Sequence, residues 1–262
     1  KKTKSTVKVV QSADGGDELF VGYDKYRKIL KRYKKSKLIP TFLKTLLKNI
    51  LNKNLLTNNK NGSYIKNENL NDWLIDESKV NNNDQLNRLL VNPKISKTNF
   101  QNYSQLKNDL NEMLFLDVKT FLVDDILWKV DRATMYSGLE ARDPLLDFRL
   151  VEYALDIPAK TKLKNNQLKY LLKQLAHNKI PKKLLDRPKQ GFNLPIVDLT
   201  LTFYREYKDI LLKDSIILEQ NLFHVNEIQK LKYEIDNKKY NNIGNLWLIL
   251  IFQIWYYDFY AL

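Results

Sequence analysis

The sequence predicts a predominantly α-helical chain with little strand, and three observations carry that expectation. Apolar residues recur at helical spacing in several segments, among them 38–51, 113–122, 168–175 and 243–259. One short β-branched run, Val7 to Val10, is the clearest strand and reads as buried. A glycine-bearing loop, Ser12-Ala13-Asp14-Gly15-Gly16-Asp17-Glu18, follows it, so the chain opens as strand, loop, helix.

The first helix is expected from about Asp17 into Tyr33, because Leu19, Phe20, Tyr23, Tyr26 and Leu30 share a face. Leu38 to Leu51 carries one apolar stripe with Lys44 and Lys48 on another face. Such a helix can lie on a membrane surface or be buried in a helical domain. Burial is the expectation, since the chain offers several stripes of this kind. Residues 49–71 are rich in Asn and Lys and read as a loop or insertion. Met113 to Leu122 and Asp124 to about Ser137 resume helical spacing. Ile243 to Phe259 is the most apolar helix and is expected at the centre of the core. Residue 1 is Lys and a strand-like stretch begins within a few residues, as in an internal piece of a longer chain.

Composition narrows the chemistry. With no Cys among 262 residues, disulfides, thiolate metal sites and a cysteine nucleophile are excluded. Two histidines, His177 and His224, make a His-rich metal site a poor reading. The formal charge of +14 raises anionic partners. Only 8 of the 44 basic residues are Arg, however, and 28 residues are Asn, as a biased source genome would produce. A nucleic-acid reader would favour the planar fork of Arg. A solvated lysine surface, with no nucleic-acid partner, is therefore expected. The longest apolar run, Leu246 to Phe252, is far short of the roughly 20 residues that cross a bilayer, so no membrane partner and a cytoplasmic location are expected.

Four segments can carry chemistry. In the first loop, glycines allow close backbone approach and a helix start offers free N–H groups, which suits phosphate. Asp14, Asp17 and Glu18 would repel phosphate unless Mg²⁺ bridged them, as it does with one or two carboxylates plus phosphate oxygens. Helix capping by first-turn acids explains the same residues. In Asp124 to Arg132, Asp124, Trp128 and Asp131 share a helix face, and Asp125 and Lys129 form an i,i+4 pair. Asp131 lies deep in that helix and wants a partner, either a ligand or Arg132 or Arg142. Gly138 to Asp147 is dense in charge, and Pro144 pushes Asp143 out of the helical region. Asp186 to Pro195 places Arg187 and Lys189 in a constrained loop that suits a polyphosphate or is a solvated turn.

Taken together these segments resemble the asparagine synthase family. Its Ser-Gly-x-Gly-x-Asp-Glu and Gly-Gly-Tyr elements are met by Ser12 to Tyr23, its Asp-Asp-x-Leu-x-Lys-x-Asp-Arg segment by Asp124 to Met135, its Leu-Glu-x-Arg-x-Pro segment by Leu139 to Asp147, and its Arg-x-Lys-x-Gly-Phe segment by Arg187 to Pro195. The closing Leu-Trp helix is met at Leu246-Trp247. Order and spacing agree outside residues 34–112.

The resemblance implies an α/β fold of the adenine nucleotide alpha hydrolase-like, or ATP-pyrophosphatase, class with a helical C-terminal part. It implies a ligase that uses ATP and Mg²⁺ to activate a carboxylate, usually the aspartate side chain, as an acyl-adenylate. Ammonia released from glutamine by a glutaminase domain then attacks. By the same resemblance Lys189 and Asp14 are catalytic. Ser12, Ala13, Asp14, Gly15 and Arg187 bind ATP or AMP, Asp17 is a metal ligand, and Asp131, Glu140 and Arg142 position the substrate. Ala13 stands where the family has Gly, so its backbone must avoid positive φ. Val21 stands where the family has the first Gly of Gly-Gly-Tyr. The family's Ser-Gly-Gly-x-Asp-Ser pyrophosphate loop does not occur in these 262 residues, nor does a glutaminase domain. Residues 1–262 are thus expected to be part of a synthetase domain, inactive alone, working as a homodimer or in complex with a chain that supplies the missing half. An amidotransferase of surface-polysaccharide or secondary-metabolite pathways, a non-catalytic fragment and a basic nucleic-acid-binding protein are the alternatives.

Overall fold

A computed structural model of the protein describes residues 2–50, 62–93, 109–185 and 194–260. In chain order the elements are β1 (Val9–Gln11), α1 (Gly16–Leu19), α2 (Asp24–Lys37), α3 (Thr41–Ile50), α4 (Gly62–Lys66), α5 (Leu70–Ser78), α6 (Asn83–Leu89) and α7 (Asp109–Asp117). A π-helical stretch (Val118–Leu127) leads into α8 (Trp128–Tyr136), β2 (Glu140–Arg142), α9 (Phe148–Asp156), α10 (Ala159–Lys162), α11 (Tyr170–His177) and α12 (Lys182–Leu185). The rest is α13 (Ile196–Leu211), α14 (Asp214–Gln220), α15 (Val225–Asp236) and α16 (Ile243–Tyr260). The helical character expected from the periodicity is present, with one small sheet. Among the described residues no helix is long and apolar enough to cross a membrane.

The described chain forms two compact units, one of residues 2–50, 62–78 and 109–185, the other of 79–93 and 194–260. In the first, α2, α5 and α7 bury Tyr26, Ile29, Trp73, Leu74, Met113 and Leu114 against one another. A smaller cluster of Leu19, Phe20, Ala154 and Leu155 fastens α1 to α9. At the junction of α7 with the π-helical stretch, Asp117 is buried, accepts a hydrogen bond from the Tyr26 hydroxyl and pairs with Lys25 at 2.7 Å. The Lys25 ammonium also lies over the Phe121 ring, 4.5 Å from its centroid. In the second unit α16 is central as expected, burying Leu246, Ile249 and Leu250 against Tyr204, Ile217 and Ile228.

The sheet joins the two ends of the first unit. β1 and β2 run parallel with Val9 opposite Glu140 and Gln11 opposite Arg142. The sequence reading missed β2, because three residues of which two are charged carry no strand pattern. It also expected β1 to be buried. Val7 and Val9 are exposed instead, since among the described residues β1 has a single neighbour and its faces are only partly covered.

Two further expectations change. The helix foreseen over Asp17 to Tyr33 is interrupted between α1 and α2, where Val21 adopts φ 57 while fully buried. A β-branched residue in the left-handed region is strained. The stripe on α3, expected to be buried, is not: α3 buries no residue. Within 49–71, residues 51–61 lie outside the described ones, and Gly62–Lys66 is helical.

Val21 yields a stability test. Both Val21→Ala and Val21→Gly remove buried methyls, but only Gly relieves the backbone. Gly should therefore be the more stable variant by about 1 kcal/mol, reversing the usual order of Ala over Gly. Urea unfolding midpoints of the two variants check this. A more stable Ala variant would remove the case for strain at this turn.

Candidate functional site

Parallel pairing places the carboxyl ends of β1 and β2 side by side, which is where open α/β sheets bind ligands. Two motifs far apart in sequence leave the sheet there. The loop 12–16 leads from β1 into α1, and 143–147 leads from β2 into α9. Ser12 N donates to Arg142 O at 2.9 Å, which fastens the loop to the neighbouring strand. Gly15 takes φ 83, and a Cβ on it would collide with Leu146 Cδ2. A Cβ on Gly16 would fall 2.9 Å from Leu145 Cδ1. Both glycines let the two motifs close on each other, and at Gly15 the positive φ also disfavours any side chain. Ala13 is not in the left-handed region, as its side chain requires.

The acids at this edge have distinct settings. The Ser12 hydroxyl donates to Asp14 Oδ2 at 2.8 Å. Burial, and then the charge of Asp14, push the Asp143 carboxyl above its ordinary value. Asp143 Oδ1 is buried with no hydrogen-bond partner among the described residues. Asp17 and Glu18 are adjacent but diverge. Glu18 turns into the core, accepts the Tyr23 hydroxyl at 2.7 Å and is raised by burial. Asp17 stays partly open and pairs with Lys169, Nζ to Oδ1 at 3.1 Å.

Lys169 is a residue the sequence reading missed. It is left-handed, φ 52, at the start of α11, and its N–H donates to Val21 O at 3.3 Å. Its stem fills the notch at Gly22, where an added Cβ would lie 2.5 Å from Lys169 Cε and collide with Asp17 Oδ1. Its only sequence signal was a place at the head of the 168–175 stripe, which says nothing of a tertiary pair with Asp17.

Asp131 and Glu140 come together. With Asp143, Thr134, Met135 and Leu146 they line an open cavity of about 350 Å³. The Asp131–arginine pair considered from sequence does not form. Asp131 is exposed, Arg142 Nε is held by Glu140 Oε1 at 2.7 Å, and the Arg132 guanidinium lies over Trp128, 5.0 Å from the ring centroid. The Asp125–Lys129 pair forms at 3.0 Å. Asp147 caps α9, accepting Arg149 N at 3.0 Å. Arg187 and Lys189 lie outside the described residues.

Paired parallel strands bring a glycine loop and an acidic turn to one edge, the place where open α/β sheets bind ligands. Comparison of sequences gives the class its name. The chain matches the Asparagine synthase family over residues 1–257 and belongs to that family. It is 32% identical to a Bacillus subtilis (strain 168) protein named asparagine synthetase [glutamine-hydrolyzing] 1, over 98% of this chain and 41% of that one. It is 27% identical to a putative asparagine synthetase [glutamine-hydrolyzing] of Mycobacterium tuberculosis (strain ATCC 25618 / H37Rv), over 98% of this chain and 40% of that one. A Gallus gallus asparagine synthetase [glutamine-hydrolyzing] is 34% identical over 39% of this chain. The chain thus spans about two-fifths of the length of the bacterial relatives. No solved structure matches it.

Proposed function

We propose that these residues are the C-terminal part of the synthetase domain of an ATP-dependent amide-forming ligase. The ligase activates the aspartate side chain as an acyl-adenylate and yields asparagine, AMP and pyrophosphate after attack by ammonia. Membership of the family supports the reaction class. The observation that carries the site is the closure of loop 12–16 on turn 143–147 at the carboxyl ends of the paired strands.

The roles are those the family resemblance implies, and the placement of the described residues supports them. Ser12, Ala13, Asp14 and Gly15 form the wall against the adenylate. Asp14, beside the raised carboxyl of Asp143, takes the proton that the attacking ammonia must lose. Among the described residues no three His, Asp or Glu side chains cluster as a metal cage. One carboxylate, Asp17, is nonetheless enough for a Mg²⁺ that draws its other ligands from phosphate oxygens. Bound there, Mg²⁺ would neutralise charge on the departing pyrophosphate. The Lys169 ammonium on Asp17 is close enough to share that phosphate load. The three carboxylates of the 350 Å³ cavity suit the ammonium group of aspartate. Arg142, bound to Glu140, orients one of them. Arg187 and Lys189 complete the anion-binding set by resemblance.

A fold of the ATP-pyrophosphatase class is part of the same proposal. Two parallel strands with exposed valines are a fragment of what a parallel sheet needs, because such sheets are covered on both faces. We propose that the further strands, the pyrophosphate loop and the ammonia-producing glutaminase domain come from the rest of the polypeptide or from a partner chain.

The test is aspartate-dependent exchange of labelled pyrophosphate into ATP with Mg²⁺. The 262-residue chain alone should show none, and the full-length polypeptide, or its two-chain complex, should show robust exchange and form asparagine when ammonia is added. Exchange by the isolated chain would refute the division of labour. Exchange by the complete enzyme with another carboxylate, and none with aspartate, would refute the choice of substrate.

A further inference from the structure

The excess positive charge is not spread along the chain. Residues 24–50, which make up α2, α3 and their link, hold ten Lys and Arg against one acid, Asp24, giving +9 of the chain's +14. A genome-wide lysine bias would not concentrate charge in this way. Some of these cations are matched: Lys25 by Asp117, Arg27 and Lys28 by Asp24, Arg32 by Glu77 and Lys48 by Glu68. Lys31, Lys34, Lys35 and Lys37 are exposed. Lys28, Lys31 and Lys34 wall an open recess of about 550 Å³, so they face solvent. Lys44 holds its proton less tightly than an ordinary lysine, through burial first and then the nearby charges of Lys37 and Lys48.

The same segment exposes an apolar stripe. Leu38, Phe42, Leu46 and Ile50, four residues apart, are 82%, 74%, 50% and 68% exposed. Phe42, Leu46 and Ile50 sweep one arc of α3 at 100° per residue, with Lys44 and Lys48 on the opposite side, while Leu38 stands just before the helix, at the end of α2. A stripe of this size left in water is costly, and it sits inside the most basic part of the protein.

We propose that α3, with the basic end of α2, docks on an anionic phospholipid surface, the apolar arc entering the headgroup boundary and the lysines meeting lipid phosphates. Three kinds of occupant differ in how they meet this face. A nucleic acid would match the charge but leave the aliphatic arc in water, and Phe42 is the one aromatic on that arc to stack a base. A second copy would set one lysine-rich face against another. An anionic bilayer satisfies both faces, in the manner of interfacial helices that combine Leu and Phe with lysines. This inference is independent of the ligase reading.

Co-sedimentation with vesicles tests it, using the full-length polypeptide. Binding is expected to phosphatidylcholine vesicles containing phosphatidylserine, to fall as salt rises, and to be absent with phosphatidylcholine alone. Phe42→Asp combined with Leu46→Asp should weaken binding by about 10² or more. Both side chains are exposed, so far-UV circular dichroism should be unchanged. Lys34→Gln, Lys35→Gln and Lys37→Gln together should weaken it about fivefold per lysine, which carries the test should the double variant fold poorly. No sedimentation with the anionic vesicles would overturn the proposal, as would undiminished binding by the variants. Binding to a short RNA that displaces the vesicles and survives Phe42→Asp would assign the face to nucleic acid instead.

Discussion

In the complete enzyme, Lys169→Met lowers aspartate-dependent pyrophosphate exchange by about 10²–10³, the usual cost of losing one fixed donor to a developing anion. Stability should barely change. The Lys169–Asp17 pair is partly open to solvent, and such pairs contribute about 0–1 kcal/mol. A large loss of rate with an unchanged melting midpoint therefore separates a charge role from a packing role. Lys169→Arg should not restore the rate. The stem lies in the notch at Gly22 and brings a compact ammonium to Asp17, and a planar, bulkier guanidinium does not reproduce that point charge. Lys179→Met, at an exposed lysine one helix away, is the control. If Lys169→Met turns over as fast as that control, the pair with Asp17 has no part in phosphate handling.

Lys162 governs the second large effect, which concerns pH. It is fully buried at the end of α10, where its ammonium donates to Asn111 Oδ1 at 3.0 Å. Asn111 Nδ2 in turn donates to Leu155 O at 2.5 Å and Ile157 O at 2.9 Å. Burial pulls the Lys162 pKa down to about 8, against a weaker opposing effect of Asp156. An unfolded lysine titrates near 10.4. Between those values the unfolded state binds more protons, so this group makes stability rise with pH. From pH 7.5 to 9.5 wild type should gain about 2 kcal/mol that Lys162→Met does not. Denaturant titrations of both proteins at the two pH values read this difference directly. Met also strands the Asn111 carbonyl, a cost that is the same at both pH values and cancels. A constant gap between the two proteins would mean that Lys162 stays protonated throughout.

The ordered motifs were legible because each is a short run of chemically unusual residues. Nothing in them disclosed how they meet. That Gly15 and Gly16 exist to seat Leu146 and Leu145 is a tertiary fact, as is the pairing of Lys169 with Asp17. Helix content was legible from periodicity, yet its interruptions were not. Val21 breaks the first helix against its own preference, and a π-helical stretch occupies part of what reads as ordinary helix around Asp124 and Asp125. β2 was invisible for the opposite reason: three residues are too few to show alternation. The stripe on α3 was correctly seen as amphipathic and wrongly expected to be covered, because a pattern of apolar residues shows which side is oily but not what lies against it.

The sheet also bears on how the molecule comes together in time. Val9 pairs with Glu140, so β1 must wait for a partner made much later in the chain and reached only after α2, α5 and α7 have collapsed between them. Closing so long a loop costs entropy before any contact rewards it. The helical core should therefore assemble first, and the strand pair, with the crevice at its end, last. The reverse order applies to opening: amide protons of residues 9–11 and 140–142 should exchange by local release of the sheet well before those of α2 or α7. The candidate site is then the last region to gain structure and the first to lose it, so partial unfolding would open it while most of the helices remain.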